Sequence, residues 1–189
     1  MSEHPQPRYA IVEYATNKHF FNIYSALQIE RLVFEVVRYD PERRVHVERA
    51  TAYLGISRAR LLVHQVLGGF TGDGWKHETF GGGWKEGQLE SRTLTFEHDT
   101  NQGKFADYPW RVSIALGNGI PTKTGAIKPD GKPHTRVWMR LLGPHFVEHC
   151  LEVQAFLSEH QRDIERIRYA RQREKFESRQ GAAVRNGRG

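Results

Sequence analysis

Residues 135–157 read TRVWMRLLGPHFVEHCLEVQAFL. This is a strand that turns at Gly143 and Pro144 and runs straight into an amphipathic helix. Val137, Met139 and Leu141 alternate with Arg136, Trp138 and Arg140, so one face of the extended chain is apolar and the other basic and aromatic. Pro144 suits the first turn of a helix, where its missing N–H costs nothing. Phe146, Cys150, Val153 and Leu157 then recur at helical spacing. An earlier stretch has the same form: residues 50–67, ATAYLGISRARLLVHQVL, read strand, Gly55, helix, with Ser57 placed to cap the helix.

Extended segments precede each junction. Residues 19–27 and 32–39 alternate or are β-branched, and Asp40, Pro41 and Glu42 form a turn. Residues 43–54 follow as one long strand or two joined by a bend. In the second half, residues 93–97 and 110–116 alternate, with Trp110, Val112, Ile114 and Leu116 on one face. A short strand is expected over 124–128, then a tight turn at Pro129, Asp130 and Gly131.

The pattern predicts an α+β fold. Two antiparallel four-stranded sheets, each followed by a helix, form a duplicated ββββα unit in one pseudo-symmetric domain. The expected organisation is a flexible N-terminus (1–17), a domain over 18–160, a charged helical extension (161–180) and a disordered tail (181–189). The domain's half-units are 18–67 and 90–160, joined by a Gly/Trp-rich loop over 68–89. Ile164 and Ile167 continue the apolar stripe of the last helix beyond Leu157, so that helix is expected to outlast the core. Its exposed part is either a self-association element or a solvated extension.

The 189 residues carry 28 Lys and Arg against 22 Asp and Glu, a formal net charge of +6 that favours a polyanionic partner. No apolar run is long enough to span a membrane, and the polar start has no signal-peptide core, so no membrane association and a cytoplasmic location are expected. The single cysteine, Cys150, lies on an apolar stripe and reads as a core residue.

Sequence-tolerant binding of a single strand needs cations along a groove and aromatic rings for the bases to stack on. The chain offers Lys18 with Phe20, Arg38 with Tyr39, Trp75 with Lys76, Trp84 with Lys85, and Lys104 near Tyr108. Arg43 begins the next extended stretch, and Arg136, Trp138 and Arg140 share a strand face. The two tryptophan–lysine pairs stand out, because loop tryptophans are costly to expose without a use.

The element order, the two strand-to-helix junctions and the stretch SRTLTFEHD…YPWRVSIALGNG resemble the Whirly family of single-stranded DNA-binding proteins. They also resemble the guide-RNA-binding proteins of kinetoplastid mitochondria, and the half-unit is similar to the single-stranded DNA-binding domain of the coactivator PC4. The resemblance covers residues 18–160. It implies binding of single-stranded DNA, or of RNA, in DNA maintenance or transcription, and a nucleoid association if the protein is bacterial. It further implies no cofactor, no catalysis and a homo-oligomer, commonly a tetramer. Plant Whirly proteins carry Lys-Gly-Lys-Ala-Ala-Leu on the first strand; residues 17–22 here read NKHFFN, where only Lys18 is similar in character.

Two other readings stand beside this one. His145, Glu148 and His149 spell H-x-x-E-H, the inverted zinc-peptidase signature, on a predicted helix. A further ligand would have to come from the charged remainder of that helix, so solvent-facing residues are the expected reading. An adaptor acting through the C-terminal helix is the third. There is no Walker-type phosphate loop and no G-x-S-x-G elbow.

Overall fold

Alternating side chains build the strands here, and strand register decides which residues share a face. The computed structural model describes residues 9–100, 103 and 106–186, with side chains as far as 178. The first half contains β1 (Ala10–Ala15), β2 (His19–Ala26), β3 (Arg31–Asp40), β4 (Val45–Gly55) and α1 (Ile56–Leu67). The second contains β5 (Trp75–Lys85), β6 (Gln88–His98), β7 (Trp110–Pro121), β8 (Ile127–Pro129), β9 (Thr135–Leu141) and α2 (Gly143–Glu159), and α3 (Gln161–Asn186) follows.

Strands β1 to β4 pair antiparallel in chain order. Strands β5, β6, β7 and β9 form the second antiparallel sheet, and the short β8 pairs with the far end of β7. Each sheet is followed by a helix, so the ββββα unit occurs twice.

The inner faces and the two helices share one core. Phe21, Ile23, Phe34, Val36, Ala52 and Leu54 come from the first sheet, and Leu94, Phe96, Val112, Ile114, Met139 and Leu141 from the second. Ala59, Leu62 and Val63 of α1 and Phe146, Cys150 and Val153 of α2 close it. Burial pushes the Cys150 thiol up to about 12, so it remains a neutral packing group.

Several boundaries differ from the expectation. The stretch expected to be flexible, 1–17, contains β1, whose Val12 is buried and whose Tyr14 packs inward. Residues 45–55 form a single strand, β4, with no bend into two, and Arg43 and Arg44 belong to the turn before it. Residues 68–89 are not a single loop: β5 takes up Trp75–Lys85, and Glu86 and Gly87, both at positive φ, make the two-residue turn into β6. Ser57 does not cap α1. Its cap position is Gly55, and the Ile56 N–H donates to the Glu30 carbonyl at 3.1 Å, so main chain supplies the first acceptor. The last helix breaks at His160, whose ring stacks on Phe156 at 4.2 Å. It resumes as α3, which remains helical to Asn186, past the expected start of a tail at 181. Ile164, only 2 % exposed, ties the first turn of α3 to the core.

Residues 125–134 fold back over one end of the second sheet's outer face, and glycines make room for them. A Cβ at Gly119 would meet Ile127 Cγ2 at 2.4 Å, and one at Gly117 would meet Pro133 Cα at 3.1 Å. No helix among the described residues is long and apolar enough to cross a membrane.

Candidate nucleic-acid interface

On the second sheet, the outward residues of β5, β6, β7 and β9 line up in rows across the strands. Lys76, Glu97, Arg111 and Arg140 form the first row; Glu78, Thr95, Ser113 and Trp138 the second; Phe80, Thr93, Ala115 and Arg136 the third. Beyond the Glu97–Arg111 row, the central strands β6 and β7 carry small side chains, whereas the edge strands carry the large rings and most cations. The result is an open groove of about 370 Å³, floored by Ser, Thr and Ala and walled at one end by Pro129 and Pro133. Small neighbours leave the rings standing clear: Trp138 is 46 % exposed and Phe80 51 %.

Two carboxylates share this face with four cations. Lys76 Nζ lies 2.9 Å from Glu78, and Arg111 pairs with Glu97. The hydrogen bond from Lys76 holds the Glu78 carboxyl below its usual range; Lys76 charge, a bond from Thr95 and the Arg136 charge act in the same direction, against partial burial. Arg140 donates to the Tyr108 carbonyl at 3.0 Å. Arg136 has no ion pair among the described residues, its charge reaching Glu78 only through space, and it shares the β9 face with Trp138. A phosphate chain laid along this face meets an unpaired cation, a nearby ring and carboxylates already neutralised by lysine and arginine.

The sequence-predicted residues divide among three places. Lys76, Arg136, Trp138 and Arg140 come together on this outer face, with Tyr108, 40 % exposed, at its edge through the Arg140 bond. Trp75 does not join them. Neighbours on a strand point to opposite faces, so Trp75 turns inward, with its ring 5.8 Å from that of Trp110, while Lys76 faces out. Trp84 is 74 % exposed at the end of β5, and Lys85 reaches Glu90 at 3.5 Å.

The remainder lie on the first sheet. An irregularity in register between Arg38 and Tyr39 brings the Tyr39 ring against Phe20 and His46, at 5.6 and 5.9 Å. These rings pack on one another. Arg38 pairs with Glu48 at 3.3 Å and Arg43 with Asp40 at 3.7 Å, while Lys18 sits exposed in the turn before β2. Lys104 lies outside the described residues. Sequence reasoning passed over Phe80 as a contact, Arg111, and the small-residue floor. The signal available was small polar residues at alternate positions of β6 and β7, which shows its purpose only once the strands are aligned.

The H-x-x-E-H residues are not solvent-facing as a set. His149 is buried between Tyr14 and Phe21, and His145 Nδ1 lies 3.2 Å from the Tyr14 hydroxyl; only Glu148 is exposed. The two histidines are at i and i+4, but the Tyr14 ring lies against both, and among the described residues no group of three or more His, Cys, Asp and Glu is set to hold a metal ion.

The chain is similar to the crystal structure of WHY1 from Arabidopsis thaliana, with a TM-score of 0.49 and 10% identity over 80% of this chain and 89% of that one. It is also similar to WHY3 from Arabidopsis thaliana, with a TM-score of 0.43 and 11% identity over 83% and 96%. No protein-family model matches the sequence, and no curated protein does.

Proposed function

We propose that this chain binds single-stranded nucleic acid, DNA in preference to RNA, largely without regard to sequence, and serves DNA maintenance or transcription. The observation that carries this reading is the outer face of the second sheet: an exposed Trp138, with Arg136 and Arg140 on the same strand, over a floor of small side chains. Bases stack on any exposed ring, and cations on the same surface follow the backbone. Trp84 and Phe80 extend the ring surface along β5. A homo-oligomer belongs to the same proposal, with Leu61 and Leu151, each 50 % exposed on α1 and α2, as its contact surface.

Fluorescence anisotropy with labelled single-stranded DNA, single-stranded RNA and duplex, each across a salt series, tests the reading. Tight, salt-sensitive binding of single-stranded DNA, ahead of single-stranded RNA and of duplex, is the expected result. Equal, weak binding of all three overturns it. A second reading, a protein-interaction module, is favoured by Tyr169 and Phe176, exposed at 72 % and 62 % and two helical turns apart on α3.

A further inference from the structure

The edge strand β4 of the first sheet comes close to the edge strand β5 of the second, and between them lies a cleft distinct from the outer-face groove. It has two compartments, both lined by Arg31 and Tyr53. One is a pocket of about 440 Å³ that also touches Phe80; the other is a recess of about 150 Å³ against Gly81, Gly82 and Gly83. Arg58 of α1 and Arg168 and Arg171 of α3 line the larger compartment, and Arg92 the smaller. Among the described residues Glu30 is the one carboxylate lining either compartment, and it is already shared by Arg168 at 3.1 Å and Arg171 at 3.6 Å. Arg31 and Arg58 have no ion pair among the described residues.

The glycine run separates two kinds of cause. Gly82 is required by packing, since its Cβ would collide with main chain. Gly81 and Gly83 are not. Neither has the positive φ that favours glycine, and no atom lies within 4 Å of where a Cβ would sit. Glycine in a strand interior weakens it and commonly marks the close approach of a ligand or another backbone. At these two positions the open space borders the recess, beside Tyr53, over which the Arg92 guanidinium lies at 5.7 Å.

We infer that this cleft is a second contact for a single strand: one nucleobase enters the glycine recess against Tyr53, and the flanking phosphodiesters lie on Arg31, Arg58 and the α3 arginines. This rests on the single-strand-binding reading above. It gives α3 a role at the binding surface, held there by Glu30, and Phe80 joins the two contacts because it belongs to the outer face and also lines the cleft.

The test compares wild type with Arg31→Ala/Arg58→Ala, Gly83→Ala and Gly83→Val, with Trp138→Thr as the outer-face control. Each is titrated with labelled oligothymidylates of about 8 and about 24 nucleotides across a salt series. The arginine pair is expected to weaken binding of the long strand by about tenfold per arginine. It should also lower the salt slope by about 0.7 for each lost phosphate contact. Gly83→Val should weaken the long strand and Gly83→Ala should do so less, with the melting temperature held or raised in both. If wild type binds no single strand, the parent reading fails. If wild type binds and Trp138→Thr weakens it, yet the arginine and glycine variants match wild type at both lengths, the cleft is off the strand's path and this inference alone is overturned.

Discussion

Replacing Trp138 by threonine separates stacking from charge on the outer face. The indole is about half exposed, so an aromatic that would bury ~150–250 Å² when enclosed loses roughly 100 Å² of covered surface, worth at most about 2.5 kcal/mol of folding stability. Threonine keeps the strand's β-branched character and faces Ser113 across the ladder, so part of that loss is recovered. A stacked base is worth roughly 1–3 kcal/mol, which makes the expected loss of affinity about 5- to 150-fold. Because stacking releases no counterions, the slope of log K against log salt should stay where it is. Arg136→Gln, one strand position away on the same face, should do the reverse: a smaller loss of affinity and a slope lower by about 0.7. The assay is anisotropy with a labelled oligothymidylate at several salt concentrations, with a thermal melt of each variant confirming that it is folded at the assay temperature. Unchanged affinity for Trp138→Thr, or a slope change that follows the tryptophan instead of the arginine, refutes the assignment of a stacking ring beside a phosphate contact.

Three further outcomes follow from the packing. Burial lowers the His149 pKa from its ordinary value, with Glu152 opposing this in part, and burial acts in the same direction on His77 and His19. The unfolded state therefore takes up protons first, so the urea midpoint should hold above about pH 7 and decline below about 6.5. His149→Leu should flatten that decline, and a midpoint that rises with acid would contradict it. Glu35, 3 % exposed on β3, accepts from Asn22 at 3.1 Å, Tyr24 at 3.3 Å and Arg49 at 2.5 Å. Glu35→Ala should cost about 2–3 kcal/mol by urea unfolding, less than the roughly 3–5 of a fully enclosed pair because Arg49 is largely exposed. Gly82→Ala should destabilise by about 1–3 kcal/mol through its collision with the Glu90 carbonyl, whereas Gly83→Ala should stabilise by about 0.4–1. Equal effects in chemical denaturation would show that packing does not distinguish the two glycines.

Much of the architecture was legible from residue order. β2, β3, β7 and β9 carry enough alternating or β-branched apolar residues to declare themselves. Both helices follow their strands through a glycine, and the repeat of that junction indicates two like units. β5 was hidden because its inward positions after Trp75 hold His77, Thr79, Gly81 and Gly83, which present no apolar alternation although the strand is fully paired with β6. β1 was hidden by its shortness and its polar approach; its pairing with β2 and its packing under α2 make it a strand.

The sequence by itself determined the composition of the candidate surface: an excess of cations, several large rings, and a β9 face on which Arg136, Trp138 and Arg140 must lie together because strand periodicity is two. Tertiary structure decided which of these residues meet. Pairing across β5, β6, β7 and β9 joins side chains up to about sixty positions apart into one row, and no local pattern encodes that register. It also turned Trp75 inward, buried His149, and set the edges of two sheets close enough for arginines from both halves and from α3 to line one cleft. Side-chain direction is a local property of the backbone, whereas proximity between distant strands depends on how the whole core packs.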